Sequence, residues 1–454
     1  MFPAPSDSRL IDPSRRQFIQ GASALVAGGV ILGANARIAR SAFSSGSDEI
    51  KIGLIGCGGR GSEAVRQALS TEGKVTLWAM ADAFKDRLNM ALNGANDLIA
   101  EAGTNNPRLK NSTVDVPAER QFVGFDAYQK VIDSGVDLII LATPPGFRPM
   151  HYEAAVKAGK HVFAEKPVAV DAAGIRRFLA ANEEAKKKSL CVGIGLQRHH
   201  DPRYIETIDQ LQSGAIGDIA FTRVYWNGTT PWVKVRENDW SEMTYQMRNW
   251  YHFLWLCGDH IVEQHIHNID VSNWLLGAHP VAAQGMGGRQ LRTDKEGQIY
   301  DHHCVEFTYA NGVKMFSQCR HMDRCDNSVS EHAHGTKGYA EISGSLIRTN
   351  GAEEWKSQTK KLNPYQQEHD DLFAAIRKGE TYNEGDYGAD STMTAILGRM
   401  ATYSGRAVTW ADAIASKHDM SPKSYEFDAE PPVTPDEDGR YPIPVPGRTD
   451  PMEA

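Results

Sequence analysis

The stretch EIKIGLIGCGGRGSEAVRQAL, residues 49–69, leaves the chain few ways to fold. Ile50, Ile52, Leu54 and Ile55 make a short apolar run, which reads as a strand of a parallel sheet buried on both faces. Gly56, Gly58 and Gly61 follow in G-x-G-x-x-G spacing, and the apolar period then turns helical through Val65 and Leu69. A second apolar run, KVTLWAMAD, ends on Asp82. The glycines alone say little, but a strand before them, a helix after them and an acid closing the next strand are the context of a dinucleotide site. Gly56 permits a tight turn, Gly58 lets the backbone approach a pyrophosphate, and Gly61 lets helix and strand pack closely. The helix start then offers free N–H groups to the phosphate charge. Asp82 is placed to accept hydrogen bonds from the adenosine ribose, which favours NAD; Lys85 and Arg87 just behind it keep NADP as the alternative.

The alternation continues. Val136–Ala142 reads as another buried strand, and HYEAAVKAGKHVFAEKP repeats helix then strand. The class is α/β: a doubly wound parallel Rossmann sheet in an NAD(P)-binding domain over residues 46–168. From Asp171 the texture changes. DIAFTRVYWNG, VAAQGMGGRQ, DHHCVEFTYANGVKMFSQCRH and GYAEISGS are extended and polar-interleaved, which predicts an open, mostly antiparallel sheet in an α+β domain over residues 169–416. Residues 417–454, rich in Pro, Asp and Glu, read as an extended tail.

At the other end, SRRQFIQGASALVAGGVILGANA sets Arg15-Arg16 before a short apolar stretch and a small-residue site at Ala36. That order resembles a twin-arginine signal over residues 1–45, read by the Tat translocon, with a periplasmic or exported destination. The stretch is too short to span a bilayer, and no other apolar run is long enough. A net charge of −8 argues against a nucleic-acid partner, which calls for a basic face. The six cysteines show no CxxC spacing, so neither a zinc ribbon nor a disulfide framework is expected; whether Cys319 and Cys325 pair stays open.

One long segment, ILATPPGFRPMHYEAAVKAGKHVFAEKPVAVD, is more distinctive. Its Ala142-Thr143-Pro144, His151, Gly159-Lys160-His161 and Glu165-Lys166-Pro167 resemble the Gfo/Idh/MocA family of glucose–fructose oxidoreductases and inositol dehydrogenases. The likeness runs on through GLQRHHDPRYIETIDQLQSGAIGDI, GTKGYAEI and AVTWADAI. It implies an NAD(P)-dependent enzyme that holds its cofactor tightly, takes a small carbohydrate and assembles as a homodimer or homotetramer. Gly59 and Arg60 in the glycine loop, with Thr143, Pro144, His151, Glu165 and Lys166, are then the further cofactor contacts. The resemblance also assigns the catalytic lysine to Lys166, whose charge would stabilise a developing alkoxide.

The family's aspartate, histidine, aspartate pattern falls on Glu263, His267 and Asp270, with Glu replacing the first Asp. On one helix Glu263 and His267 share a face, so Glu263 would orient the imidazole and raise its basicity while His267 takes the hydroxyl proton. His260, Glu263 and His267 also share that face as a zinc alternative, but H-E-x-x-H and its inverse are both absent, and no metal is expected. His265 reads as a structural histidine. Trp250, Tyr251 and Trp255 are candidates for stacking on a sugar ring, or core aromatics. Arg198 reads as a substrate contact or an ion pair, and His260 as a further substrate contact. The expected reaction moves a hydride between a secondary hydroxyl of a sugar, polyol or glycoside and the nicotinamide. Two alternatives remain: glycoside cleavage through transient oxidation, and a sugar sensor without turnover.

Overall fold

A computed structural model describes residues 48–351 and 354–454, with only the backbone of residues 102–105. The expected export signal, with Arg15 and Arg16, lies outside the described residues.

Seven parallel strands form the first sheet: β1 (Glu49–Ile55), β2 (Lys74–Asp82), β3 (Thr113–Val114), β4 (Gln121–Val123), β5 (Leu138–Leu141), β6 (His161–Ala164) and β7 (Val192–Ile194). Their order is β3-β2-β1-β5-β6-β7, with β4 also on β2. Ile50, Ile52, Leu54 and Leu138–Leu141 are fully enclosed, because helices cover both faces of such a sheet. The order reverses between β1 and β5, where the carboxyl ends of the strands leave a crevice for a ligand.

The parallel sheet does not stop at residue 168. CVGIG, assigned from sequence to the second domain, supplies β7 against β6, and the helix Pro364–Lys378 returns to pack Leu372 and Phe373 into the same core. A three-residue strand with two glycines nearby carries too weak a pattern to reveal its partner.

Nine strands form the second sheet. Its members are β8 (Ile219–Gly228), β9 (Ala282–Gly288), β10 (His302–Thr308), β11 (Lys314–His321), β12 (Ser328–Gly335), β13 (Gly338–Glu341), β14 (Leu346–Thr349), β15 (Trp355–Lys356) and β16 (Val408–Thr409). All neighbours are antiparallel except β8 and β11, so the sheet is mixed but mostly antiparallel. Val305, Phe307, Met315 and Ala333 face the helices Ile266–Leu276 and Gly385–Ser404, whereas Met286, Phe316, Val329 and Tyr339 point outward. Period-two alternation thus leaves one open face.

Residues 417–454 are extended as expected but not detached. Met420 N donates to Asp171 Oδ2 at 2.8 Å, Tyr300 Oη to Pro444 O at 2.8 Å, and Tyr441 Oη to Glu242 Oε1 at 2.6 Å. Tyr425 and Phe427 pack at a tilt against Phe125, and Phe427 also meets Phe84 at 5.6 Å between ring centres. The tail is a strap over both sheets' domains.

Candidate active site

A cavity of about 980 Å³ opens at the β1/β5 switch point and runs into the second domain. Its nucleotide end begins at Gly56, whose φ of +101° only glycine adopts freely. A Cβ on Gly58 or Gly59 would meet nothing within 4 Å, so the loop's backbone is open to the cavity. The helix Gly59–Leu69 starts there without a side-chain cap, leaving its first N–H groups for an anion. Gly61 does not line the cavity: a Cβ on it would stand 2.0 Å from Gly56 O, so its part is the close approach of helix and turn. Asp82 lies beside this loop. Burial raises its carboxyl, opposed by N–H bonds from Phe84 (2.8 Å) and Cys57 (2.7 Å). An open glycine loop, an uncapped helix and a carboxylate at the end of β2 together fit a dinucleotide.

Arg60 and Glu165 reach the cavity wall but chiefly engage each other. The Arg60 guanidinium bonds Glu165, Gln67 Oε1 (2.8 Å) and Glu368 Oε1 (3.1 Å). Thr143, Pro144 and His151 also line the cavity. His151 stacks between Tyr128 and Phe147, and burial, then the Arg148 and Arg177 charges, lower it to about 3. Buried Arg148 donates to Leu141 O and Pro167 O, both at 3.2 Å, and to Thr143 O at 2.5 Å. It staples the end of β5 to the segment carrying Lys166.

At the deep end stand Lys166, Glu263, His267, Gln264, Trp226 and Tyr251. Lys166 Nζ donates to Glu263 Oε1 at 3.0 Å and to Glu263 O at 2.6 Å, and Tyr251 Oη donates to the other carboxylate oxygen. Glu263 therefore holds the lysine. It does not orient His267, because the helix breaks: Glu263 closes the short helix His260–Glu263, and His267 sits in the next one, Ile266–Leu276. Nor is the imidazole made more basic. Burial, then the charges of Lys166, Arg198 and Arg60, push it well below the ordinary histidine value. His267 stacks on Trp226 at 5.9 Å, and its buried Nδ1 has no partner among the described residues.

Trp250 and Tyr251 line the cavity; Trp255, His260 and Arg198 do not. Trp255 is core, its Nε1 bonded to Gln246 Oε1 at 2.7 Å. Arg198 pairs with buried Glu331 at 3.3 Å, the ion-pair reading. His260 is fully enclosed, its Nδ1 2.7 Å from Asp259 Oδ1, while His303 Nε2 lies 3.1 Å from Asp259 Oδ2. The zinc alternative is thus not assembled: Glu263 serves Lys166, and His260 serves Asp259. Asp259, His260 and His303 do converge, in a hydrogen-bonded cluster joined by Tyr403 Oη and Tyr300 N (3.0 Å), where His260 Nε2 is buried without a partner among the described residues. His265 is structural, bonded to Ser317 Oγ at 2.8 Å. Sequence reading missed Trp226, Trp232, Gln264, Arg248 and Tyr365 on the cavity wall. Of these only Gln264, next to Glu263, carried a signal.

A family model described as "Oxidoreductase family, NAD-binding Rossmann fold" matches residues 50–194, and the "GFO/IDH/MocA C-terminal domain" matches residues 204–341. The inositol 2-dehydrogenase/D-chiro-inositol 3-dehydrogenase of Lactiplantibacillus plantarum is 24% identical over 272 residues, 59% of this chain and 64% of that protein. The chain thus spans just under two thirds of that relative's length. An inositol 2-dehydrogenase of Klebsiella pneumoniae is 25% identical over 60% of this chain and 68% of its own. Among solved structures, scyllo-inositol dehydrogenase from Lactobacillus casei with bound NAD(H) and scyllo-inositol aligns with a TM-score of 0.59 at 19% identity, covering 80% of this chain and 99% of that one. Aldose-aldose oxidoreductase from Caulobacter crescentus also gives 0.59 at 19% identity, over 80% and 99%. At such identities the structural likeness speaks for the fold, while the two family models together span more than half of the 454 residues. The chain belongs to the Gfo/Idh/MocA family.

Proposed function

We propose that the chain is an NAD-dependent oxidoreductase acting on a secondary hydroxyl of a sugar, polyol or glycoside. The observation that carries this reading is one cavity holding both an open glycine loop and, at its deep end, a carboxylate-held ammonium beside a neutral imidazole. The names of the inositol dehydrogenase relatives support the substrate class. Gly56, Gly58, Gly59, Asp82, Thr143 and Pro144 would hold the nucleotide, which when bound supplies the hydride acceptor. Asp82 repels a 2′-phosphate, so NAD is preferred, although Arg87 also lines the cavity.

Lys166 orients the substrate hydroxyl and offsets the charge that grows on its oxygen. Glu263 and Tyr251 fix where the ammonium points. His267, neutral, accepts the hydroxyl proton. Trp226 and Tyr251 supply the apolar wall beside these groups.

The nucleotide end is braced from outside, which supports a tightly held cofactor. Arg248 pairs with Asp86 through two bonds of 2.8 Å and lies 3.7 Å over the Phe84 ring, which Phe427 of the strap backs. A retained cofactor favours one second reading, glycoside cleavage by oxidation, elimination and re-reduction without net NADH.

Initial rates with NAD and NADP across a sugar, polyol and glycoside panel test the assignment. Lys166→Met and His267→Ala should each lower kcat by about 10²-fold or more. Undiminished turnover in both removes the mechanism; glycoside turnover without NADH selects the second reading.

A further inference from the structure

Segment 229–240 has no regular structure, yet it is held firmly where it meets the cavity. Buried Asn249 brackets Lys234, accepting from its N at 2.7 Å and donating to its O at 3.1 Å. His252 Nε2 lies 2.8 Å from Trp232 O. What this anchoring presents is Trp232, 47% exposed at the cavity wall, its ring plane steeply inclined to Tyr251 at 5.5 Å and to Trp250 at 6.1 Å, so that neither stacks on its face. A fixed, half-open indole that no other ring stacks on is a stacking platform.

The anchor is shared with the catalytic segment. Arg292, buried, donates Nη1 to His252 Nδ1 at 3.0 Å and Nη2 to His321 Nδ1 at 2.9 Å. A guanidinium only donates, so both imidazoles must accept at Nδ1 and carry their proton on Nε2. His252 then donates to Trp232 O. His321 donates to Gln264 Oε1 at 2.7 Å, which leaves the Gln264 amide NH₂ as the group turned to the cavity it lines. Among the described residues that NH₂ has no partner. One enclosed cation thus sets a platform and a donor together, and Gln264 adjoins Glu263, the partner of Lys166. The linkage runs to the hydroxyl-handling end of the cavity rather than to the glycine loop.

Resting on the oxidoreductase reading above, we propose that Trp232 and Gln264 form a subsite for a second sugar ring, with Arg292 as their positioning residue. The substrate is accordingly a glycoside of at least two rings: one presents its hydroxyl to Lys166 and His267, and the other lies on Trp232 with a hydroxyl accepting from Gln264. Indole faces take the C–H face of a pyranose, and the amide supplies the single directional contact that fixes its register.

The test compares kcat/KM of the full chain, loaded with NAD, for methyl glycosides of glucose, galactose and mannose and for cellobiose, lactose and mannobiose, following both sugar loss and NADH. The disaccharide-to-methyl-glycoside ratio should be at least about tenfold, from one ring stack together with one hydrogen bond. It should collapse toward unity in Trp232→Ala through KM, return largely in Trp232→Phe, and fall severalfold in Gln264→Leu. An unchanged ratio in Trp232→Ala overturns the subsite. So does an equal loss on both sets, or a matching rise in the NAD dissociation constant, either of which gives Trp232 to the first ring or to the cofactor. If no sugar of either set is converted or bound, as read by saturation-transfer NMR, the oxidoreductase reading itself fails.

Discussion

Two side chains stand at the centre of the proposed chemistry, Lys166 held by a carboxylate and His267 without one among the described residues. His267 lacks a carboxylate partner and lies among the cations of Lys166, Arg198 and Arg60, in surroundings that already disfavour charge. A lowered imidazole stays neutral through the physiological range and loses its accepting lone pair only on acidification. The acid limb of kcat/KM against pH is therefore expected below the ordinary histidine value of about 6.5. Lys166→Met, which removes the foremost neighbouring charge, should move that limb upward in whatever activity remains. A limb at or above the ordinary value in the parent enzyme would contradict the assignment of His267 as base. The sequence singled out this histidine and the lysine through the family-like motifs around them, and both line one cavity. It misassigned Glu263, whose true partner is 97 positions away, a relation no local spacing reports. Trp226, in the interior strand β8, and Trp232, in the segment after it, were invisible for the same reason: an aromatic reads alike in sequence whether it lines a cavity or packs a core.

At the level of elements, the parallel sheet was legible because buried strands and the glycine turn leave strong local patterns. The break between His260–Glu263 and Ile266–Leu276 left none. Around it His265 reaches Ser317, and Asp259, at φ +75° just ahead of the first of these helices, is held by Tyr300, His303 and Tyr403, all supplied by distant segments. The turn between β1 and its helix, by contrast, makes a prediction from geometry alone. In Gly61→Ala the new methyl would stand 2.0 Å from Gly56 O, contact with backbone that cannot yield without moving the helix. A loss of about 1–3 kcal/mol in denaturant unfolding is expected, together with weaker NAD binding, because the same shift displaces the uncapped N–H groups. Unaltered stability and affinity would show that the helix does not depend on this approach.

For the whole molecule, the strap joins what the sheets keep apart. Phe427 touches Phe84 and Phe125, while Ser241 Oγ donates to Phe427 O, so a side chain of the nucleotide domain is backed by the tail and tied to the helix that carries Arg248. In Phe427→Ala, at about 1 kcal/mol for each lost ring contact, release of NADH followed by its fluorescence should speed up by about tenfold or more. An unaltered release rate would mean that the brace does not govern retention. The proline-rich composition announced an extended tail but not its landing place, since the aromatic residues that fasten it, Tyr425 and Phe427, find partners from separate loops.

Synthesis runs one way, and this imposes an order on assembly. Residues 425–427 emerge from the ribosome after every strand of both sheets. A nascent chain that folds as it is made would thus have its crevice formed but unbuttressed for as long as translation of the remaining stretch takes. If Phe427 governs retention as expected, a nucleotide entering in that interval would meet an open crevice and a later one a braced crevice. Cells starved of nicotinamide nucleotide during expression would accumulate protein that is folded yet slow to fill afterwards.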